Sequence, residues 1–383
     1  MLQRRGDLLK DWEKENDCKV NLTVIPWDKY EETYTTALNS GEGPDVGYMY
    51  NEMFPTYIDA GAVEDMSSYV TDEDKKEYKY LSNGNMMDGQ YGWPLVTGVP
   101  FVLYYNEDIL NALGEKAPET WDDFARICQE ATKDTDGDGK VDQYGFACGM
   151  NTSDIGAMQI LNAYYYSALW QNGGQVYNDD LKSVSFADEA GKEAVTWLKG
   201  LTSYMNEDFM SLSWSDAFSN VFGAGKAAFG ITRSSQTDGT TFAETYPDLN
   251  WNFVTSLKNK DFGTFGATDC LTLMSACEDK DLAMDFIKYV TGSEFMTAYH
   301  AKCPGAALTE SEPYVGDEKM EKIYTEDKDK WHGIQAGPCG TQIMNQLAAD
   351  FQGIMSGETS VDEGLKEAED YANGLLDEYW ANK

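Results

Sequence analysis

Long apolar runs are absent from this 383-residue chain, and so are paired cysteines and clustered histidines. Because no run reaches about 18 apolar residues, the sequence predicts no membrane-spanning helix. The seven cysteines are dispersed without a CxxC pair, which argues against a disulfide framework and favours small buried side chains. His300 and His332 are the only imidazoles, so no zinc ligand cluster is predicted.

Positive charge is also scarce. The chain has 29 Lys and Arg against 66 Asp and Glu, a formal net charge of −37. Such a surface repels nucleic acid and anionic lipid, so neither is predicted as a partner. The length favours two domains or lobes, and the hydrophobic content of 42% is that of an ordinary globular protein.

Most catalytic motifs are missing. There is no GxSxG, and two histidines argue against a serine hydrolase. "GAGKAAFG" (223–230) lacks the first glycine and the Ser or Thr of a phosphate loop. No GxGxxG follows a strand. A glycosidase needs only two carboxylates, so composition alone leaves a sugar enzyme and a sugar-binding protein both open.

Helical and strand patterns alternate along the chain, which predicts sheets sandwiched by helices. Thr120 and Asp123 have the spacing of a capping box at the start of a helix. Strands are predicted at Lys19–Ile25, Asp45–Tyr50, within 93–106 (one or two strands), at "YGFACG", Ala227–Ile231, Trp251–Thr255 and Leu271–Ser275. Helices are predicted at Asp7–Glu15, Tyr30–Asn39, Ala157–Trp170, Glu189–Tyr204, Trp214–Phe222, Leu282–Val290 and Asp362–Tyr379.

Aromatic residues are plentiful, with 10 Trp and 24 Tyr. A pyranose offers a face of C–H groups to aromatic rings and a rim of hydroxyls to carboxylates, amides and Arg. Trp93, Trp170, Trp214 and Trp331 lie near element ends or loops and are candidates for ligand contact. The helical spacing of Trp12, Trp121, Trp197 and Trp380 favours core positions.

Four segments share a common pattern and order. They are "SGEGPDVGYMYNEMFPTYIDAGAVEDM" (40–66), "YGWPLVTGVPFVLYYNEDILNALGEKAPETWDDF" (91–124), "FGAGKAAFGI" (222–231) and "DLAMDFIKYVTGSEFMTAYHAKCPGAAL" (281–308). Together they resemble the family 1 extracellular solute-binding proteins of ABC sugar importers, the maltose-binding-protein-like group. The resemblance extends over essentially the whole chain.

This resemblance implies an α/β, two-lobed periplasmic-binding-protein-like fold of type II, with a ligand cleft between the lobes and a hinge of several crossings. Lobe 1 is expected to comprise residues 1–103 and 264–316, and lobe 2 residues 104–263 and 317–383. The strand that opens family members before their first helix has no counterpart in this sequence.

The resemblance also implies a function. The chain is expected to be an oligosaccharide receptor, not an enzyme, that delivers sugar to the membrane permease subunits of an ABC transporter. It is expected to be a monomer, extracellular at the cell surface, and lipid-anchored in a precursor whose signal segment is absent here. The alternatives are a polysaccharide-active enzyme and a receptor for another small solute.

Family contacts can be carried over position by position. The acidic contact after the G-x-G-P-D strand falls on Glu52, whereas the neighbouring basic contact falls on Met53. A late aromatic contact falls near Met344, so several maltose contacts are replaced. The candidate ligand residues are Tyr50, Asn51, Glu52, Thr97, Asp154, Trp170, Trp214, Arg233, Ser234 and Asp269.

One motif is independent of the cleft. "DTDGDGKVD" has the ligand spacing of a calcium loop, with Gly139 at the sharp turn. The last position, where such loops place a bidentate Glu, falls on Gly145. We expect a structural Ca²⁺ and no organic cofactor; the alternative is an Asp/Gly turn without metal. The candidate metal ligands are Asp134, Asp136, Asp138, the Lys140 carbonyl and Asp142.

Overall fold

Helices and strands alternate through the computed structural model, which describes residues 6–26, 29–41, 43–87, 89–152, 158–234, 242–303, 305–316 and 318–383. The strands of these residues are β1 (Val46–Tyr50), β2 (Asn85–Met86), β3 (Gly89–Gln90), β4 (Trp93–Asn106), β5 (Tyr144–Ala147), β6 (Ala227–Arg233), β7 (Trp251–Val254), β8 (Thr264–Leu273) and β9 (Trp331–His332). The predicted α/β class is confirmed.

Sixteen α-helices lie among the described residues. They are α1 (Gly6–Glu15), α2 (Tyr30–Ser40), α3 (Phe54–Asp59), α4 (Asp74–Glu77), α5 (Glu107–Leu113), α6 (Trp121–Ala131), α7 (Met158–Ile160), α8 (Tyr166–Gln171), α9 (Glu189–Gly200), α10 (Trp214–Ala217), α11 (Phe242–Thr245), α12 (Lys280–Thr291), α13 (Ser293–His300), α14 (Glu321–Thr325), α15 (Gly340–Ser356) and α16 (Val361–Ala381). A π-helical turn, Leu161–Tyr165, joins α7 to α8.

The long strand β4 connects the two halves of the molecule. From Trp93 to Pro100 it pairs antiparallel with β8. From Phe101 onward it pairs with β6, and from Leu103 with β7 on its other side. A shift of register at Gly98, whose φ is +69°, lies two residues before the last of the β8 pairs, Pro100 with Gly266. One strand therefore contributes to the sheets of both lobes.

Each lobe has its own apolar core. In the first lobe, β1 pairs with β8, and buried residues of α1, α12 and α13 pack on one face of this sheet. Tyr30, Tyr34 and Phe54 belong to a second cluster, which includes β1 residues and Cys270. In the second lobe, α6, α9, α15 and α16 contribute to a large cluster around Phe146 and Phe229. The residue boundaries given above for the two lobes stay a prediction.

One predicted strand is wrong, and another overlaps only the end of the observed strand. Lys19–Ile25 alternates like a strand but lies in extended chain outside any ladder of the described residues, with Val24 60% exposed. A strand needs a paired neighbour, and here the Val20 N–H donates to Glu13 Oε1 instead, at 2.9 Å. The predicted strand Leu271–Ser275 starts too late in the sequence, because β8 begins at Thr264. Glycine and polar residues at the start of β8 interrupt the run of apolar residues that predicts a strand.

The sequence also gave no prediction for α13 and α15. The 17-residue α15 begins at Gly340, and its N-cap residue, Cys339, has a φ of +56° and makes no side-chain cap hydrogen bond. Ser, Thr, Asp or Asn at the N-cap predicts the start of a helix. Cys339 is none of these, so the start of α15 could not be predicted in this way. By contrast, the capping box of Thr120 and Asp123 is present as predicted. Within the described ranges, the longest and most apolar helices fall short of what a membrane crossing requires.

The Thr120 cap gives a stability prediction. Thr120→Ala removes the side chain that accepts from the Asp123 N–H at 3.2 Å, so we expect it to lower the free energy of unfolding by about 1 kcal/mol. Urea denaturation measures this loss. Thr36→Ala, at an exposed position inside α2, is the matched control and should change stability little. Equal losses in both variants would show that the cap is not the cause.

Candidate functional site

A group of carboxylates lies where β1 ends in the first lobe. Tyr50, the last residue of β1, pairs with Asp269 on β8. The Asp269 carboxylate accepts a hydrogen bond from the Tyr48 hydroxyl. Loss of solvation raises the pKa of Asp269, although the Tyr48 hydrogen bond and the positive charge of Arg233 oppose this shift. A polar, partly desolvated edge therefore faces the second lobe.

Glu52 lies in the 3₁₀ turn that follows β1. Loss of solvation raises the pKa of its carboxyl group to about 7, and the negative charges of Asp269 and Glu31 act in the same direction. The first turn of α15 lies beside it, since a Cβ added to Gly340 would be 3.4 Å from the Glu52 backbone oxygen. The Glu52 carboxyl group therefore holds its proton to a higher pH than an exposed glutamate does.

The second lobe presents a cation and aromatic rings. Arg233 ends β6 and pairs in register with Phe101 on β4. Its guanidinium carbon is 5.7 Å from the ring centre of Phe101 and equally far from that of Trp214. The two rings meet edge to face at 5.3 Å. Trp214 Nε1 is buried and has no hydrogen-bond partner among the described residues.

Arg233 and Asp269 influence each other across the cleft. Loss of solvation lowers the pKa of Arg233, and the Asp269 charge acts against that shift. No ion pair within 4.0 Å joins them in the part of the chain that the structure describes. Both charged groups therefore have hydrogen-bonding capacity for a ligand placed between the lobes.

An aromatic row continues from Phe101 along the second lobe. Phe101 contacts Phe265 at 6.0 Å, and Phe265 contacts Tyr166 at 6.1 Å. Tyr166 stacks on Trp170 at 5.5 Å, and Trp170 meets the ring of His332 at 5.6 Å. The middle rings are buried, whereas Trp170 and Trp214 are half-buried and His332 is exposed. Ring faces available to a ligand are therefore those at the two ends of the row.

Asn51 joins the first lobe to the segment after β9. A Cβ on Gly333 would lie 3.6 Å from Asn51 Nδ2. The Asn51 side-chain oxygen is buried and has no hydrogen-bond partner in the described part of the chain. An unsatisfied acceptor at this depth favours a ligand that carries hydroxyl donors.

The predicted ligand residues fall into two groups. One group is a chain of neighbours in which Glu52 interacts with Asp269, Asp269 with Arg233, and Arg233 with Trp214. Asn51 precedes Glu52 in the sequence, and Trp170 lies at the far end of the aromatic row.

Three others are less available. The Tyr50 hydroxyl donates to Glu31, and the Ser234 hydroxyl is 3.0 Å from that of Tyr324. Thr97 is 2% exposed, and its hydroxyl makes no hydrogen bond in the structure. Asp154 lies outside the described residues. The ligand role of the whole set stays a prediction.

Two tryptophans proposed as ligand contacts are core residues instead. Trp93 is 0% exposed and Trp331 6% exposed, because both lie on strands rather than in loops. Met344, the position of a family aromatic, is buried on α15 and lies 2.7 Å from the Tyr166 hydroxyl. The sequence missed Phe101, Phe265, Tyr166 and His332, whose proximity depends on strand register and helix packing.

The acidic loop lies between α6 and β5. Carboxylate oxygens of Asp134, Asp136 and Asp138 approach within 4.8 Å of one another. Asp134 accepts from the N–H groups of Gly137 at 2.6 Å and Gly139 at 2.7 Å, and these bonds lower its pKa.

Two other loop positions contribute less. Asp142 accepts from the N–H and the hydroxyl of Thr135 and does not belong to the three-carboxylate group. Gly145 offers no side chain.

The architecture is that of a two-lobed α/β binding protein, with residues from both lobes facing one cleft. Known structures share it. The sugar-binding protein MalE of Xanthomonas citri aligns with a TM-score of 0.78 at 17% identity, over 98% of this chain and 95% of that one. A substrate-binding protein of Listeria monocytogenes in complex with cycloalternan aligns with 0.76 at 19% identity, over 98% and 96%.

The chain belongs to the bacterial extracellular solute-binding proteins, whose family pattern matches residues 7–313. This confirms the predicted family and fold. A binding protein of Brucella abortus (strain 2308) is 25% identical over 331 residues, 82% of this chain and 72% of that protein. The diacetylchitobiose binding protein DasA of Streptomyces coelicolor is 30% identical over 134 residues, 34% of this chain and 31% of that protein.

The raised pKa of Glu52 predicts a pH dependence of stability. Between its ordinary value of 4.5 and about 7, the folded state holds a proton that the unfolded chain has lost. Raising the pH through this window therefore destabilises the fold. Glu52→Gln cannot titrate, so its stability relative to the natural protein should improve between about pH 5 and about pH 7.5.

Denaturation of both proteins at the two pH values measures this change. Glu115→Gln is the control, because Arg126 lowers the Glu115 pKa and its titration falls below the tested window. A constant stability difference for Glu52→Gln across the window would contradict the raised pKa.

Proposed function

We propose that this chain is the oligosaccharide receptor of an ABC transporter. The observation that carries the proposal is the pairing of two surfaces across one cleft. Carboxylates and an amide lie on the first lobe, and an arginine flanked by aromatic rings lies on the second. The hydroxyl groups at the rim of a sugar bind to carboxylates and amides, and the C–H faces of the sugar pack on aromatic rings. A pyranose combines both surfaces in one molecule.

Related proteins support a sugar ligand. Beyond the diacetylchitobiose binding protein, the multiple sugar-binding protein of Streptococcus mutans is 32% identical over 133 residues. The galactooligosaccharide-binding protein of Bacillus subtilis is 28% identical over 130 residues. Their different ligands do not select one glycan for this chain, and its replaced positions, Met53 and Met344, argue against maltose itself.

We propose binding without catalysis. The family and its structural neighbours are binding proteins. A glycosidase would use two carboxyl groups, and Glu52 and Asp269 are the pair that the cleft offers. Both belong to the first lobe, so a glycan held between the lobes contacts them from one side only. This arrangement favours hydroxyl recognition over attack from opposite faces of a sugar ring.

The transport role rests on lobe closure. A solute that contacts both lobes binds the closed form better than the open form, and that difference drives closure. We propose that the permease subunits recognise the closed form of a monomeric receptor. The family description places such proteins outside the cell, and we propose that a lipid anchor in the precursor keeps this one at the cell surface.

We also propose a structural Ca²⁺ in the loop between α6 and β5. The three convergent carboxylates provide hard oxygen ligands, and the Lys140 carbonyl would add a fourth. Like charges this close repel unless a cation lies among them. With Asp142 engaged by Thr135, the shell is incomplete, which predicts modest affinity. The ion would brace the second lobe rather than control the cleft.

The sugar proposal predicts saturable binding in a panel of oligosaccharides, detected as a rise in melting temperature because a ligand stabilises the native state. For a sugar that binds, Glu52→Ala should weaken affinity about tenfold or more, since hydrogen bonds to a charged group contribute about 1.5–3 kcal/mol. Trp214→Ala should also weaken affinity and reduce the fluorescence change on binding. Calorimetric titration measures each affinity.

Two controls have exposed or remote side chains: Glu32→Ala on α2 and Trp380→Phe on α16. Both should leave affinity unchanged. Unaltered affinity in Glu52→Ala and Trp214→Ala would remove these residues from the site. Shorter sugars appearing by chromatography after overnight incubation, and abolished by Glu52→Ala, would establish an enzyme instead.

The calcium proposal predicts that chelation lowers the melting temperature and barely alters sugar affinity. Asp136→Ala with Asp138→Ala should reproduce the loss and abolish the effect of chelator, whereas Asp248→Ala, at an exposed position elsewhere, should not. Calorimetry in calcium and in chelator provides both readouts. An unchanged melting temperature would leave a turn without metal, and a large affinity loss in the folded protein would show that calcium controls the cleft.

A further inference from the structure

Trp331 lies where the segments that connect the two lobes meet. It belongs to β9, which pairs in parallel with the start of β8. Its indole passes over β8 at Gly266, where an added Cβ would be 2.6 Å from Trp331 Cε3. It then reaches β4 at Gly98, where an added Cβ would be 3.2 Å from Cη2. The ring therefore lies against both β8 and β4, and its own strand pairs with β8.

The two glycines make this contact possible. Any side chain at Gly266 would occupy the position of the indole. Gly98 has a left-handed φ and sits at the register shift of β4, with Ala306 as a second close neighbour. Pro100, two residues later, is the last β4 residue paired with β8, and its partner is Gly266 itself. Phe101 is the first β4 residue paired with β6. The indole thus packs at the place where the sheet changes from one lobe to the other.

Neighbours of the indole come from both lobes. Tyr80, which also packs against the first-lobe core, has its ring 5.5 Å from that of Trp331. On the other side, Trp331 Nε1 donates to the Ile323 carbonyl at 3.3 Å, and Ile323 belongs to a second-lobe cluster. A rotation of one lobe relative to the other must therefore change the packing of this ring.

The next two residues extend from this point to the cleft. His332 contacts Trp170 at the end of the aromatic row, and Gly333 lies against Asn51 of the first lobe. Three consecutive residues thus contact the crossing strands, a second-lobe ligand candidate and a first-lobe ligand candidate. Such a short rigid connection can transmit displacement between the cleft and the crossings.

We propose that Trp331 is a positioning residue: its indole, packed over Gly266 and Gly98, is the pivot that sets the resting angle between the lobes. The inference rests on the two-lobed fold and does not depend on which solute binds. A smaller ring at this position leaves space between the crossing strands and widens the range of lobe angles. A methyl group at Gly266 restores part of the lost volume.

The test uses the full chain without any sugar. Trp331→Phe should increase the radius of gyration in small-angle scattering. It should also speed amide hydrogen exchange in β4 and β8 around Gly98 and Gly266 by about tenfold, as expected for a local loss of packing. Gly266→Ala alone should also shift both readouts, because its methyl displaces the indole. The double variant should return toward the natural protein.

Two matched controls separate the pivot from general destabilisation. Trp251→Phe makes the same change in the same apolar cluster, on β7. Gly364→Ala introduces a comparable clash, 2.6 Å from Ile354 Cγ1, between α15 and α16 of one lobe. Both should lower stability and leave the scattering unchanged.

The proposal is overturned if Trp331→Phe matches Trp251→Phe in both readouts, or if Trp331→Phe and Gly266→Ala add instead of compensating. If Trp331→Phe does not fold, Gly266→Ala is compared with Gly364→Ala in the same two readouts. Equal scattering and equal hydrogen exchange in these two variants would likewise overturn the proposal. Absence of sugar binding would leave this result unaffected, so failure of the proposed function and failure of the pivot remain distinguishable.

Discussion

The hydrogen-bonded ladder of β4 is the constraint on which the rest of the structure depends. Its first half pairs with β8 and its second half with β6 and β7. Two separately packed cores are thereby joined through continuous backbone, so the lobes can rotate only where the ladder changes partner. That place lies between Pro100, the last residue paired with β8, and Phe101, the first paired with β6. Cleft geometry and hinge geometry follow from the same strand.

The binding chemistry of the cleft comes from charged and polar groups in each lobe that are partly desolvated and not paired across the cleft. Glu52 and Asp269 lose solvation on one side, and Arg233 loses it on the other, without a direct ion pair between them. Buried polar groups that lack partners are costly unless a ligand supplies them. A solute that bridges the lobes would satisfy these groups and exclude water, and its contacts would strengthen as the local dielectric falls.

Sequence reasoning was strongest where a signal was local. The Thr120 capping box and the β1 strand were predicted because their cues lie within a few residues. Predictions were wrong where the structure of a segment depends on contacts with residues far away in the sequence. Trp331 looked like a loop aromatic, and only the register of β9 on β8 shows that it lies over two glycines. The extended segment Lys19–Ile25 had the alternation of a strand but no paired neighbour in the described chain.

The sequence by itself determined the family, the α/β class and the acidic surface, because these depend on composition, local pattern and motif order. Tertiary structure alone decided which candidates share a site. Asn51, Arg233 and Asp269 are far apart in the chain, and strand pairing and lobe packing bring them to one cleft. The raised pKa of Glu52 has the same origin, since loss of solvation and the charge of Asp269 exist only after folding.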